Sequence, residues 1–211
     1  EAETILNAAA NNDLLLQVGH IERFNPVIRA LPDILDGEEI IALDVQRMGP
    51  YDPRIDDTDI IKDLMIHDID IVSSIVSSAI INISAQGRII KSKKHIDYAV
   101  ANLTMADGII ATLTASRVTK KKVRKMAIST IDSYIEVDYL QKKISLVSNR
   151  GDLQQENEMI ENDYSDKEEP LKVQLSHFIS SIENNSRPLI SGLEGLEALR
   201  ITRKIQDEAY G

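Results

Sequence analysis

The residues best suited to chemistry lie in one short segment, Asp63-Leu64-Met65-Ile66-His67-Asp68-Ile69-Asp70. On a helical wheel that advances about 100° per residue, His67 falls about 40° from Asp63, and apolar side chains occupy the opposite side. Asp63 and His67 are then i and i+4 neighbours, close enough to touch. A carboxylate beside an imidazole raises the imidazole pKa and orients the ring. Such a pair suits a general acid and base that works near neutral pH, so His67 and Asp63 are the candidate catalytic residues.

Other interpretations of this helix compete with catalysis. An Asp/His pair on a helix surface is often idle. His67, Asp63 and Asp70 also form a ridge of imidazole and carboxylate groups that is able to hold a metal ion. Because no second His or Cys lies nearby, we expect no metal site. Asp68 falls on the apolar side, where we expect a buried carboxylate bonded to backbone N–H groups, since an unpaired one would be too costly.

Composition narrows the class of protein. The chain has 211 residues, a formal net charge of -10, 4% aromatic residues and no Trp. The acidic balance disfavours binding to nucleic acid or to anionic membranes, and the few aromatics disfavour base stacking. There is no Cys, which fits a reducing compartment. No signal segment or membrane-spanning run is visible. We expect a globular cytoplasmic protein with no nucleic-acid or membrane partner.

The first twenty residues have a pattern different from that of the rest. Residues 1–12 have helical spacing, and Leu14-Leu15-Leu16-Gln17-Val18 is a short apolar run typical of a buried strand. The chain opens inside this helix without a capping residue, which suggests a fragment boundary. We expect residues 1–20 to be the last helix–strand unit of a missing parallel α/β domain. His20 follows that strand, where parallel sheets place ligands, so we predict that it contacts a cofactor.

The remaining elements predict an α+β fold for residues 21–211. A short helix after Asn25-Pro26, a strand, a polar loop and a helix over about 60–78 come first. Short β-type runs fill 80–148, and Ala106-Asp107-Gly108 marks a hairpin. A polar loop over 149–169 and two helices close the chain. The economical packing is a mostly antiparallel open sheet with helices on one face, which leaves the other face for a partner subunit or a ligand.

Several polar residues near strand ends or in loops are candidates for substrate contact. Arginines suit the diphosphate or carboxylate of a nucleotide-sugar, although a solvated surface position is the plain alternative for each. The candidates are Arg23, Asn25, Arg47, Tyr51 and Arg117. Lys62, directly before Asp63, either serves the pocket or is only solvated.

The order of three stretches resembles the glucose-fructose oxidoreductase, inositol dehydrogenase and rhizopine-catabolism family (Gfo/Idh/MocA), with the UDP-N-acetylglucosamine 3-dehydrogenase-like branch nearest. Val18-Gly19-His20-Ile21-Glu22-Arg23-Phe24-Asn25-Pro26 resembles the segment that joins the family's cofactor domain to its second domain. The segment Asp63-x-x-x-His67-Asp68-x-Asp70 resembles its catalytic helix. Ala115-Ser116-Arg117 and Ser191-Gly192-Leu193-Glu194-Gly195-Leu196 resemble its later sheet and closing helix.

The resemblance implies a Rossmann domain followed by an antiparallel sheet domain, and a sugar or nucleotide-sugar oxidised by NAD or NADP. It implies that His67 takes a proton from a sugar hydroxyl with help from Asp63. This chain lacks the family's Glu-Lys-Pro motif and the G-x-G-x-x-G fingerprint that holds the dinucleotide. We therefore expect the isolated chain to be inactive. From the open face of the sheet we expect a homo-oligomer.

A different class of protein fits the same sequence. A free-standing module could use the sheet face to bind a ligand or to oligomerise without redox chemistry. The Asp63/His67 ridge favours the enzyme, because an assembly module has no need of it.

Overall fold

A computed structural model describes residues 1–55, 57–148 and 158–211. Eight strands form one sheet in the order β2-β3-β4-β1-β5-β6-β7-β8. Every neighbouring pair is antiparallel except β1 and β4, which run parallel. The strands are β1 (Ile40–Met48), β2 (Ile80–Arg88), β3 (Tyr98–Met105), β4 (Ile110–Ser116), β5 (Val123–Thr130), β6 (Ser133–Asp138), β7 (Lys143–Ser148) and β8 (Glu158–Asp163).

The alternation of side chains along the strands separates two faces of the sheet. In β3, Ala101 and Leu103 are buried, whereas Asn102 between them is exposed. In β1, Leu43 and Val45 are buried and Asp44 is exposed. Because successive side chains of a strand point to opposite faces, the apolar set lies on one face and the polar set on the other.

The helices are α1 (Ala2–Asn11), α2 (Pro26–Ile34), α3 (Ile66–Ile75), α4 (Pro170–Glu183) and α5 (Gly192–Tyr210), with a 3-10 turn at Ile21–Phe24 and a π-helical turn at Ile61–Met65. Of these, α2, α3 and α5 contribute buried residues to the apolar core on the sheet. Ser191 begins α5 with a capping box, in which Glu194 bonds back to the Ser191 backbone. Ile69 and Val72 of α3 join the strand residues in one buried apolar cluster. The predicted α+β fold, with helices on one face of a mostly antiparallel sheet, is confirmed.

One local prediction is wrong and another stays a prediction. The run from Leu14 to Val18 makes only an isolated bridge, between Gln17 and Ser191, and Leu14 is exposed. The predicted buried strand needs neighbouring strands that the described residues do not contain, so it stays a prediction. The polar stretch that follows residue 157 is not all loop, because β8 pairs with β7 there and extends the edge of the sheet. Residues 149–157 lie outside the described part of the chain.

Candidate active site

His67 lies in the first turn of α3, directly after the π-helical turn. The backbone N–H of Ile66 donates to the carbonyl of Ile61, five residues back, so this turn holds one residue more than an α-helical turn. That extra residue rotates Asp63 away from its position on an ideal helical wheel. Within the described ranges, no hydrogen bond or ion pair joins Asp63 to His67, and the buried Nδ1 of His67 has no partner. The predicted side-chain contact between them is therefore wrong.

A buried ion-pair network lies beneath His67. The Nε atom of Arg47 donates to both carboxylate oxygens of Asp68 at 2.9 Å, and its Nη1 donates to Oε1 of Glu22 at 2.8 Å. Arg47 and Asp68 are almost fully buried. The guanidinium thus joins three elements: β1, α3 and the 3-10 turn that carries Glu22.

The burial of Asp68 confirms the sequence prediction, but its expected partner was wrong. Its carboxylate binds the Arg47 guanidinium rather than backbone N–H groups. Burial raises the pKa of Asp68, and the positive charge of Arg47 opposes that rise. The pKa of Glu22 is lower than usual: burial alone would raise it, but the charge and hydrogen bond of Arg47 outweigh burial. Both carboxylates thus pair with the same guanidinium, that of Arg47.

His20 approaches His67 from the other side. The two rings meet edge to face, with centroids 5.7 Å apart. Burial, the charge of His67 and the charge of Arg23 lower the pKa of His20 to about 4. Burial and the charge of Arg47 lower the pKa of His67, although Glu22 opposes them. Both imidazoles are therefore neutral at pH 7, and a neutral His67 is in the form that accepts a proton.

Two candidate substrate residues have structural partners. The side chain of Asn25 caps α2 by accepting from the backbone N–H of Val27. The guanidinium of Arg117 pairs with Asp97 at 2.9 Å and donates to two carbonyls of the loop before α3. Asn25 therefore shapes the segment after His20, and Arg117 holds that loop. Their contact with substrate stays a prediction.

The other candidates lie around the same region. Arg23 is 3.6 Å from Asp70, which is buried rather than part of an exposed ridge. Burial raises the pKa of Asp70 to about 6, and Arg23 limits that rise. Tyr51 is half-buried in the loop after β1, and Lys62 is exposed. In the described ranges, no group of three or more His, Cys, Asp or Glu side chains could hold a metal ion.

Comparisons with known proteins agree with this geometry. The GFO/IDH/MocA C-terminal domain matches residues 44–136, the part of the chain that contains Arg47, His67 and Asp68. The UDP-N-acetylglucosamine 3-dehydrogenase of Acidithiobacillus ferrooxidans is 34% identical over 146 residues, which are 69% of this chain and 46% of that protein. The chain contains a GFO/IDH/MocA C-terminal domain. The family resemblance predicted from the sequence is confirmed.

Solved structures show how far the similarity to the GFO/IDH/MocA fold extends. The structure of UDP-N-acetylglucosamine 3-dehydrogenase GnnA from Acidithiobacillus ferrooxidans has a TM-score of 0.87 and 27% identity, covering 99% of this chain and 65% of that one. An oxidoreductase from Agrobacterium radiobacter, in complex with NAD+, L-tartaric acid and magnesium, has a TM-score of 0.82 and 17% identity, covering 100% and 67%. At that identity it shares the fold alone. The chain spans about half the length of the curated relative and about two thirds of these structures.

Sequence reasoning missed two residues of this GFO/IDH/MocA domain site. Glu22 stands in a segment that the resemblance quoted, but its pairing with Arg47 joins positions far apart in the chain. Arg124 lies in β5 with the same parity as the buried Met126 and Ile128, so it faces the helices. That parity is visible in the sequence and could have identified Arg124 as an inward-facing cation.

No helix in the described ranges is both long enough and apolar enough to cross a lipid bilayer.

Proposed function

We propose that this chain is the substrate-binding and catalytic part of an NAD(P)-dependent oxidoreductase that oxidises a hydroxyl of a sugar or nucleotide-sugar. The observation that carries the proposal is the half-buried imidazole of His67, whose Nδ1 has no partner, next in sequence to the Asp68 carboxylate of a buried cation–carboxylate network. In the reaction, His67 accepts the hydroxyl proton as the carbon–oxygen double bond forms. A bound nicotinamide cofactor would supply the acceptor for the hydride from that carbon.

The electrostatics of the site suit this proton transfer. A general base needs a deprotonated form near the working pH, and the lowered pKa of His67 provides it. The nearby carboxylate of Glu22 opposes the lowering and so keeps the imidazole basic enough to hold the proton. Arg47 holds Glu22 and Asp68 and thereby positions the first turn of α3. Asp63, half-buried, stands on the preceding turn, where it can act on substrate rather than on the ring.

His20 fits the edge of a nicotinamide site. Its Nε2 is buried without a partner, at the junction between residues 1–20 and the sheet domain. An amide is a suitable partner for such a nitrogen. The described residues offer no glycine-rich phosphate cradle, so we propose that a Rossmann domain, of which residues 1–20 are the last part, supplies the rest of the cofactor site.

The surface of α4 supports that domain arrangement. Four large apolar side chains on α4 are more than half exposed: Leu171, Leu175, Ile179 and Ile182. They repeat at helical spacing and form a continuous stripe, which is typical of a surface covered by another part of a protein. We propose that the cofactor domain covers it. The printed names of relatives, a UDP-N-acetylglucosamine 3-dehydrogenase and an oxidoreductase bound to NAD+, support the substrate class and the cofactor.

The experiment is a comparison of His67→Ala with the wild type in the intact enzyme. We expect turnover to fall by about a hundredfold or more, as for loss of a general base. The affinity for NADH, measured by fluorescence titration, should change little. His95→Ala, a substitution of a histidine that lies in a separate loop, is the matched control. Wild-type turnover in His67→Ala would overturn the assignment of His67 as the base. An intact wild-type protein that oxidises no sugar or nucleotide-sugar would overturn the proposed reaction and favour a non-catalytic binding or assembly module.

A further inference from the structure

Two guanidinium groups lie side by side in the centre of the sheet. Arg47 of β1 and Arg124 of β5 are direct cross-strand partners in an antiparallel pair, and both face the helices. Side chains directly opposite each other are about 5 Å apart, and like charges in such a pair are destabilising. The carboxylates of Asp68, Glu22 and Asp63 offset part of this repulsion, although none of them forms an ion pair with Arg124 within the described ranges.

The partners of these two arginines are very different. Arg47 has two carboxylates, Asp68 and Glu22. Arg124 donates Nη1 to the carbonyl oxygens of Met48 and Val123, at 2.8 and 2.9 Å. Within the described ranges, it makes no ion pair. Burial and the charge of Arg47 lower the pKa of Arg124, and the more distant carboxylates of Asp68, Glu22 and Asp63 only partly oppose them. An arginine nevertheless remains protonated at neutral pH.

Arg124 is also close to the reacting group. Its charge lowers the pKa of both His67 and Asp63. Other arginines of the region are already occupied, since Arg23 and Arg117 each have a carboxylate within 4 Å. Arg124 is thus a half-buried cation beside His67 whose remaining donors lack an anionic partner.

We propose that Arg124 binds an anionic group of the substrate, a phosphate or a carboxylate attached to the sugar that His67 oxidises. The inference rests on the proposed function and deepens it by naming the residue that selects charged substrates. A partly buried guanidinium binds such oxygens through short, charge-assisted hydrogen bonds. The bound anion would also offset the repulsion between Arg124 and Arg47. Sugars that carry a phosphate or a carboxylate should therefore bind more tightly than the same sugars without it.

The test measures equilibrium binding to the intact enzyme, so it does not depend on turnover. The probes are uridine diphosphate for a phosphate, glucuronate for a carboxylate and NADH for the cofactor. We compare the wild type, Arg124→Gln and Arg124→Lys by calorimetry and fluorescence. Arg88→Gln, which changes an exposed arginine at the end of β2, is the matched control.

We expect Arg124→Gln to raise the Kd of one anionic probe by at least about tenfold, with Arg124→Lys in between and Arg88→Gln unchanged. A loss confined to uridine diphosphate identifies a phosphate, and a loss confined to glucuronate identifies a carboxylate. The Kd of NADH should stay within about threefold of the wild type.

Several results would overturn the inference. Among them are unchanged affinity for both anions in Arg124→Gln, no wild-type binding of either anion, and a weakening confined to NADH. The thermal midpoint of each variant is measured first, and Arg124→Lys decides if Arg124→Gln does not fold. Since His67→Ala tests the reaction by turnover, a failure there is distinguishable from a failure of anion binding.

Discussion

The imidazole rings of His20 and His67 lie edge to face, 5.7 Å apart, at the junction between the first twenty residues and the sheet domain. A proton on His67 lowers the pKa of His20. The two rings therefore do not readily carry charge together. In the proposed reaction, His67 is the ring that takes up the proton of the substrate hydroxyl, and His20 stays neutral.

The pH dependence of stability follows from His20. Its pKa is about 4 in the folded protein against 6.5 for the free side chain, so the unfolded chain binds the proton more readily. The free energy of unfolding should therefore fall as the pH drops from about 6.5 towards 4, by at most about 3 kcal/mol. His20→Gln should remove this component.

Urea denaturation of the wild type and of His20→Gln at pH 7 and pH 4.5 measures how much of the free energy of unfolding each protein loses in acid. Asp70, whose raised pKa of about 6 acts in the opposite direction, contributes equally to both proteins and cancels in the comparison. An identical pH dependence in the two proteins would show that His20 does not titrate as described.

If His67 is the general base, as proposed, the acid limb of the kcat/KM profile reports its pKa. Because the carboxylate of Glu22 raises that pKa, Glu22→Gln should shift the limb to lower pH by several tenths of a unit. Asp63 is not among the charges that act on His67, so Asp63→Asn should lower the rate without moving the limb. The pH profiles of both variants are measured on the intact enzyme. A shift of the limb in Asp63→Asn would instead support the direct pairing of Asp63 with His67 that the helical wheel predicted.

The buried ion pair between Arg47 and Asp68 should be sensitive to loss of one partner. Asp68→Asn leaves the guanidinium with Glu22 alone, and breaking such a pair costs about 3–5 kcal/mol of unfolding free energy. Asp52→Asn, which removes a partner of the exposed Arg54, should change the free energy of unfolding little, because solvent screens an exposed ion pair. Chemical denaturation measures the free energy of unfolding of both variants. Equal losses in Asp68→Asn and Asp52→Asn would contradict the buried ion pair between Arg47 and Asp68.

The close approach of α5 to the segment before His20 depends on Gly195. A Cβ at this position would lie 2.5 Å from Cγ2 of Val18, so Gly195→Ala should force the two apart and cost about 1–3 kcal/mol. Gly49→Ala is the control, since a Cβ there meets no atom within 4 Å. Thermal unfolding compares them. If Gly195→Ala is as stable as the control, the segment does not pack against α5 in solution.

We expect copies of the chain to form a homo-oligomer through the helix-free face of the sheet. Tyr134 on β6 is exposed on this face among polar side chains. Tyr134→Asp should therefore lower the molar mass measured by light scattering. The control is Ile89→Asp, an exposed apolar residue outside the strands. A monomeric wild-type enzyme, or an unchanged mass in Tyr134→Asp, would count against assembly through this face.

Local sequence patterns were sufficient for the class of fold and for most of its elements. The alternation in β3 and the Asp107-Gly108 turn after it predict antiparallel pairing, because a period of two and a tight turn are properties of neighbouring residues. The pattern did not reveal that β1 lies between β4 and β5, since pairing across such distances depends on the whole sheet.

The sequence by itself determined that His67 lies on a helix with an apolar back, and the family resemblance of that helix identified it as the candidate base. Only the tertiary structure decided its neighbours. The π-helical turn separates Asp63 from the ring, and the fold brings Glu22, Arg47 and Arg124 to it from three distant segments. The physical reason is that spacing along a helix depends on a few adjacent residues, whereas the electrostatics of a buried group depend on every charge that folding places around it.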